Sequence, residues 1–409
     1  MHIQKISPEI KNLINLELKK EKESINLIPS ENYASPSVLE AAGSVLTNKY
    51  SEGMVGKRYY PGNQIIDIVE ELCQKRIKQL FNLNDYWSVN VQSLSGTVAN
   101  LSVYLGLLKP EDKILSMELS AGGHLSHGHK VNASSMFYKI IHYALSEETN
   151  ELDYKKIKKI AQQERPNLIV CGATAYPRKI NFQKFADIAH SVDAYLMADI
   201  SHIAGLVATG LHPSPFPYAD VVTSTTHKTL RGPRSAFIIS NKRISKKINR
   251  AVFPGMQGGP HNHIILAKLI AIEEALQPSF KEYQKQIIKN AKALADSLNK
   301  LGFKLVTGGT DTHLLLINLT NQISGIKAQD LLEEVSILAN RNTIPGDKDY
   351  FYPSGLRMGT PAITTRGMKE EQMEIIAQLI YDTLQQKQPL DKIEAGVKKL
   401  CQEFPIYEN

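Results

Sequence analysis

Cysteine is scarce in this chain: Cys73, Cys171 and Cys401 are the only three in 409 residues, and no two share a metal-binding or redox spacing. A disulfide scaffold, a zinc ribbon and a thiol redox centre are therefore excluded, and no metal site is expected. Two of the three lie in apolar periodic segments, the pattern of buried thiols in a reducing compartment, so a cytoplasmic setting is expected. Long apolar runs are also missing. No stretch reaches the roughly 18 uninterrupted apolar residues of a membrane span, and the N-terminus lacks the apolar core of an export signal. Internal repeats and low-complexity segments are absent, and aromatic residues, 7% of the chain, are not interleaved with its basic clusters.

What is present is ordinary for a soluble globular protein, with 42% hydrophobic and 22% charged residues. The length exceeds one core, so two lobes are expected. The formal charge of +7 is concentrated in Lys155, Lys156, Lys158 and Lys159 and in Lys242, Arg243, Lys246, Lys247 and Arg250. Both clusters fall at helical spacing and read as solvated helix faces; a nucleic-acid partner and a membrane partner are not expected.

Residues 1–35 read as an N-terminal arm, with Ile10, Leu13, Ile14 and Leu18 on one stripe, that packs on the small domain or on a partner subunit. A short helix is expected over 37–48, followed by a loop over 50–62 with three glycines and three tyrosines. A buried-face helix is expected over 65–81. Strand-like runs at 87–91, 113–117, 168–171, 195–198, 220–223 and 236–239 then alternate mostly with helical stretches such as 97–108 and 182–191. This pattern predicts an α/β fold with a mostly parallel sheet in a large domain, residues 36–275. Helices over 262–299, strands at 304–306 and 314–319 and a helix at 328–335 predict a smaller α+β C-terminal domain, residues 276–409.

Ligands of such sheets gather at the carboxyl ends of strands, so the residues there are the candidates. Ser95, Gly96 and Thr97 open a helix after the first strand, as an anion site or simply an N-cap. His124 follows the second strand and has a ring able to stack on a planar cofactor; Thr174 follows the third. Asp199 ends the fourth, with His202 three residues on. A buried carboxylate needs a partner, and a protonated pyridine nitrogen is one. The fifth strand leads into Thr225-Thr-His-Lys228 before a Gly-Pro turn. A lysine desolvated at a strand end can lose its proton and condense with the aldehyde of pyridoxal phosphate (PLP).

The chain also resembles the serine hydroxymethyltransferases, fold-type I PLP-dependent transferases, over nearly its whole length. The likeness is carried by Pro29–Tyr33, Asn48–Gly53, Gly56–Tyr60, Gly122–His127, Thr225–Thr229, Phe253–Pro260 and Ser354–Arg366. It implies that Lys228 carries PLP, that Asp199 partners the pyridine nitrogen, that His124 stacks on the ring, and that Thr174 and His202 lie near the phenolic oxygen. Ser95, Gly96 and Thr97 would hold the phosphate with Tyr50 and Gly259 of the other subunit. Thr225 would position the lysine or the substrate amine, His227 would sit by the phosphate, and Arg234 would support the site from behind. Arg357 with Ser30 would clamp the amino-acid carboxylate, and Glu52 would be the acid/base group near tetrahydrofolate. Tyr59 and Tyr60 would lie beside folate and substrate, with Leu119, Gly123, Leu125 and Asn342 at the pterin.

The resemblance thus implies a homodimer with shared active sites, reversibly transferring the hydroxymethyl group of serine to tetrahydrofolate to give glycine and 5,10-methylenetetrahydrofolate. The rival readings are a folate-independent aldolase or transaldolase acting on β-hydroxy amino acids and a catalytically idle binding protein of the same fold. Four departures from the family pattern bear on substrate preference and rate: Ala121 for a common His, Ser201 for Ala, Ser235 for Gly, and Pro260-His-Asn-His263 for a more apolar stretch.

Overall fold

The computed structural model describes residues 2–347 and 351–408. Its main sheet has seven strands: β1 (Trp87–Asn90), β2 (Lys113–Met117), β3 (Lys139–Tyr143), β4 (Leu168–Cys171), β5 (Tyr195–Asp199), β6 (Val221–Thr225) and β7 (Ala236–Asn241). Their spatial order is β1-β7-β6-β5-β4-β2-β3. Strand β7 runs antiparallel to both its neighbours, and the other pairs are parallel. Every residue of β4, β6 and β7 is buried, as strands covered on both faces must be. Strand β3 escapes the sequence pattern because it is an edge strand: of Lys-Ile-Ile-His-Tyr only Tyr143 is fully buried.

The two-residue period of a strand divides the sheet into two faces. Leu168, Val170, Met197 and Val221 pack with helices α2 (Gly96–Leu107) and α4 (Lys242–Arg250). Ile169, Cys171, Leu196 and Val222 face the other core, built with α1 (Gln64–Leu80), α3 (Phe182–His190) and α5 (Asn262–Ala275). The basic residues of the two clusters stay exposed on helices whose inner faces bury Ile157, Ile244 and Ile248. All three cysteines are buried free thiols. No helix among the described residues is long and apolar enough to cross a membrane.

A second core is built on the antiparallel strands β8 (Lys304–Leu305), β9 (Leu314–Asn318), β10 (Asn340–Asn342) and β11 (Gly355–Gly359), in the order β8-β9-β11-β10. Helix α6 (Pro278–Lys300) joins the two cores, placing Phe280 in the first and Leu294 and Leu298 in the second. Near the N-terminus, Ile25 and Asn26 pair with Ile337 and Leu338, and Ile25 and Leu27 enter the second core. The helix expected over 37–48 is corrected: it ends at Ala42, and after Gly43 and Ser44 a 3-10 turn covers Val45–Asn48. Glycine, a poor helix former, ends the α-helical turn there.

The tyrosine- and glycine-rich loop is held against α1 by one arginine. Arg58, its side chain almost wholly buried, donates Nε to Asp67 (2.8 Å), Nη2 to Glu70 (2.6 Å) and Nη1 to the carbonyls of Ser51 and Gly53. Removing one partner of a buried ion pair strands the other charge. Arg58→Met is therefore expected to lower the free energy of chemical denaturation by about 3–5 kcal/mol, with Arg58→Lys recovering only part because an ammonium cannot reproduce the fork. A loss below ~1 kcal/mol, the range of exposed pairs, would show that the loop is held by something else.

Candidate active site

The carboxyl ends of β1, β4, β5 and β6 converge on one pocket. Lys228 stands three residues beyond β6 and lines it. The loop that presents this lysine is tied from several sides. Asn32 Nδ2 donates to the Lys228 carbonyl (2.9 Å), Thr226 Oγ1 to the Pro233 carbonyl (2.6 Å), and Gly232 N to the Thr226 carbonyl (2.8 Å). Thr229 Oγ1 accepts from Gly205 N (3.0 Å) and donates to the His202 carbonyl (3.2 Å). The Lys228 amine donates to Thr225 Oγ1 at 3.2 Å. It is pushed down to about 8, chiefly by burial; Asp199 pulls the other way, and Arg357 and Arg234 add to the fall.

Asp199 ends β5 and also lines the pocket. Burial alone would raise its pKa. Hydrogen bonds from His127 Nε2 (3.0 Å), the Ser201 amide (3.0 Å) and Asn100 Nδ2 (2.9 Å) outweigh burial and hold the carboxyl far below the usual range. The other nitrogen of His127, Nδ1, accepts from the His124 amide (3.4 Å). His124 is fixed by Ser126, whose amide donates to its Nδ1 at 3.1 Å and whose hydroxyl lies 2.7 Å away. Burial first, then His127, Lys228 and Arg357 against Asp199, push His124 down to about 4.

Ser95, Gly96 and Thr97 form one wall of the pocket at the start of α2. Ser95 Oγ caps the helix by accepting from Val98 N (3.4 Å), and a side chain at Gly96 would meet Thr225 Cγ2 at 2.8 Å. Glycine therefore lets the helix start approach the end of β6. His227 lines the same region with a buried Nδ1 that has no partner; burial, Lys228 and Arg234 push it down to about 3. Arg234, expected behind the site, lines the pocket itself. Thr174 and Ser30 line it too, although the Thr174 hydroxyl donates to the Gly123 carbonyl (3.0 Å). Arg357 on β11 donates Nη1 to the Thr174 carbonyl (2.7 Å) and Nε to Asn340 Oδ1 (3.1 Å). Burial pushes this guanidinium down to about 10, and no carboxylate pairs with it among the described residues.

Other candidates lie elsewhere. Leu119 lines a neighbouring cavity shared with His124, Gly123 packs too tightly on the Met117 carbonyl to accept a side chain, and Leu125 is exposed. Asn342, on β10, donates to the Thr343 carbonyl (2.6 Å) outside the pocket lining. Tyr50, Glu52, Tyr59, Tyr60 and Gly259 are also outside the lining and cluster together. The Tyr50 and Tyr60 rings meet at 5.1 Å, Tyr59 packs on Phe253, and Gly258 and Gly259 lie against Glu52 and Tyr50.

The family model for serine hydroxymethyltransferase matches residues 3–380 of the 409. The chain belongs to this family. It is a PLP-dependent enzyme of the glycine/serine hydroxymethyltransferase type, with the fold-type I architecture described above. The pocket of this hydroxymethyltransferase-type enzyme fits the cofactor on its own chemistry. It combines an amine shifted toward its neutral form, an ionised carboxylate bonded to no lysine or arginine, and an unpartnered imidazole nitrogen beside a helix start.

His127, Asn100, Asn32, Thr229 and His313 carry no local sequence pattern that points to a role. Asn100 left a trace, as a lone amide inside the apolar Val98-Ala-Asn-Leu101, a position that burial makes expensive without a partner. Among the departures, Ser201 Oγ accepts from Thr225 N (3.1 Å) and Ser235 Oγ donates to the Ser93 carbonyl (3.2 Å), so both hydroxyls are absorbed by backbone. Ala121 is buried in the core under the His124 loop.

Only the neutral amine attacks an aldehyde, so with Lys228 as the residue that holds PLP, capture by cofactor-free protein is expected to follow deprotonation of Lys228. The rate, followed by visible absorbance, is expected to climb with pH and level off above about 8. A rise that continues toward the ordinary lysine value of 10.5 would refute a depressed amine.

Proposed function

We propose that the protein reversibly transfers the hydroxymethyl group of serine to tetrahydrofolate, giving glycine and 5,10-methylenetetrahydrofolate. The observation that carries the amino-acid half of this reading is Arg357, a partly buried guanidinium without a carboxylate, bonded to the Thr174 carbonyl beside the Lys228 pocket. A cation so placed calls for an anionic ligand, and its planar fork suits the carboxylate of an amino acid, with Ser30 as its second contact.

Bound in this pocket, PLP supplies the electron sink that allows the bond between the α-carbon and the side-chain carbon of serine to break. Lys228 is the attachment point, Asp199 the anion for the pyridine nitrogen and His124 the ring laid on the cofactor. Ser95, Gly96, Thr97 and His227 receive the phosphate, while Thr174 and His202 attend the phenolic oxygen. Thr225 orients the lysine through its 3.2 Å contact. Glu52 manages the proton of the reacting hydroxyl, Tyr60 and Tyr59 flank the substrate and the folate, and Leu119, Gly123, Leu125 and Asn342 contact the pterin.

The folate half rests on the second cluster. Tyr50, Tyr59 and Tyr60 are 53%, 76% and 44% exposed, and Leu39, Val45, Ile65 and Ile68, nearby in sequence, are exposed as well. We read these exposed apolar side chains as an interaction face. We assign it to a second copy of the chain, whose pocket it completes by adding Tyr50, Gly259 and Glu52, so that the working unit is a homodimer. Residues 1–35, 36–275 and 276–409 are read as arm, large domain and small domain, and the buried thiols suit a cytoplasmic enzyme.

Serine cleavage to glycine should depend on tetrahydrofolate, with allo-threonine cleavage as the folate-independent comparison; equal serine rates with and without folate would replace this reading by an aldolase. Glu52→Gln is expected to lower the folate-dependent kcat by about 10²–10⁴-fold while leaving the cofactor's absorbance unchanged. Arg357→Lys should raise the KM for serine at least ~10-fold, since a point charge replaces a bidentate fork.

A further inference from the structure

Beside the pocket residue His202 stands a second imidazole, that of His313. His313 precedes β9, is fully buried, and has its carbonyl engaged by Thr360 N at 3.0 Å. Its Nε2 lies 3.2 Å from His202 Nδ1. The ring planes are inclined at 27° to each other and their centroids are 5.4 Å apart. At that separation the nearest nitrogens can be 3.2 Å apart only if the rings meet edge to edge, so the contact is a hydrogen bond in the ring planes rather than a stack. The remaining nitrogen of His313, Nδ1, is buried without a partner.

That unpartnered nitrogen decides where the protons are. Were His202 to donate from Nδ1, neutral His313 would have to carry its own proton on Nδ1, leaving a buried N–H without an acceptor. Native structures avoid orphaned buried donors more strictly than under-used acceptors. In the opposite arrangement His313 donates from Nε2 and its Nδ1 keeps only a lone pair. His202 then holds its proton on Nε2, the nitrogen left for the pocket that it lines. A second proton on either ring is opposed from all sides. Burial, Lys228, His313, Arg357 and His124 hold His202 well below its usual value, and burial, Arg357, Lys228 and His212 push His313 down to about 3.

We propose that His313 is a positioning residue whose Nε2–H fixes the tautomer of His202, so that His202 presents an N–H donor to an acceptor oxygen of whatever the pocket binds. This deepens the reading of the pocket as a cofactor site and does not depend on which reaction follows. It is a pairing of two neutral rings, one from the loop after β5 and one from the smaller lobe, across the line where the two cores meet.

The test is nitrogen NMR of the full-length chain labelled on its histidine rings, with His202 and His313 assigned through single substitutions. Both rings are expected to show a protonated Nε2 and a bare Nδ1 near neutral pH. In His313→Phe, which keeps the ring and removes the donor, the two His202 nitrogen shifts should move toward each other or exchange; in His313→Gln, whose amide N–H stands in for Nε2–H, they should stay as in the unaltered chain. PLP affinity should fall about tenfold in His313→Phe and recover in His313→Gln, the worth of one hydrogen bond to a charged group. A protonated His202 Nδ1 in the unaltered chain overturns the proposal, and so does an unchanged His202 pattern in folded His313→Phe. Equal loss of affinity in both variants would reduce His313 to packing. Should His313→Phe fail to fold, the unaltered chain and His313→Gln decide the matter.

Discussion

Everything around this pocket follows from keeping one amine out of water without giving it a counter-ion. Lys228 is buried beside a carboxylate, yet its own hydrogen bond goes to Thr225 Oγ1, while the Asp199 oxygens take donors from His127, Ser201 and Asn100. Arg357 and Arg234 lie near enough to repel a proton on the amine. A lysine paired with Asp199 would be held protonated; a lysine surrounded by cations and an already satisfied anion is released toward the neutral form. The same surroundings keep the Asp199 carboxyl ionised, so amine and carboxylate are driven in opposite directions from their ordinary protonation.

The polar groups around Asp199 engage one another, as a buried carboxylate requires. Here the network is continuous. Thr223 Oγ1 on β6 donates to Asn100 Oδ1 (2.8 Å), and Asn100 Nδ2 divides its protons between Asp199 and Ser126 Oγ (2.8 Å). Ser126 in turn fixes His124, and the Tyr104 hydroxyl closes on the Ser126 carbonyl (3.0 Å). One buried helical amide thus links the strand that leads to the lysine, the carboxylate, and the ring above the pocket.

The main catalytic candidates were legible because strand-end position and side-chain chemistry coincide at Ser95, Thr174, Asp199 and Lys228, and both are written locally. The supporting residues were not, because their meaning is set by contacts far apart in sequence. His313 is 111 positions from His202, and Asn32 is 196 from Lys228. A buried Asn in a helix and a surface Asn in a helix are the same letter until the neighbour is known. Edge strand β3 was hidden for a different reason, since exposure on several of its positions erases the apolar run that marked the inner strands. The cluster around Tyr50 and Glu52 was recognised only through resemblance, as no local pattern says which pocket a loop of tyrosines serves.

The two regions are nonetheless mechanically joined within one chain. Gln92 follows β1 and precedes the helix start at Ser95; its side chain donates to the Gly53 carbonyl (3.0 Å) and to Glu70 (3.0 Å), the carboxylate that also holds Arg58. Gln257, next to the glycines that pack on Glu52 and Tyr50, grips the same segment through the Gln92 carbonyl (2.7 Å) and the Leu94 amide (3.3 Å). Lys268, wholly buried, ties the Val91 and Ala236 carbonyls together at 2.6 Å each. The start of α2, at the pocket's wall, and the loop bearing Glu52 are therefore fixed to one strand end and cannot shift independently. If that loop completes the pocket of a second copy, as proposed, the geometry each chain offers its partner is set by the same hydrogen bonds that shape its own cofactor site.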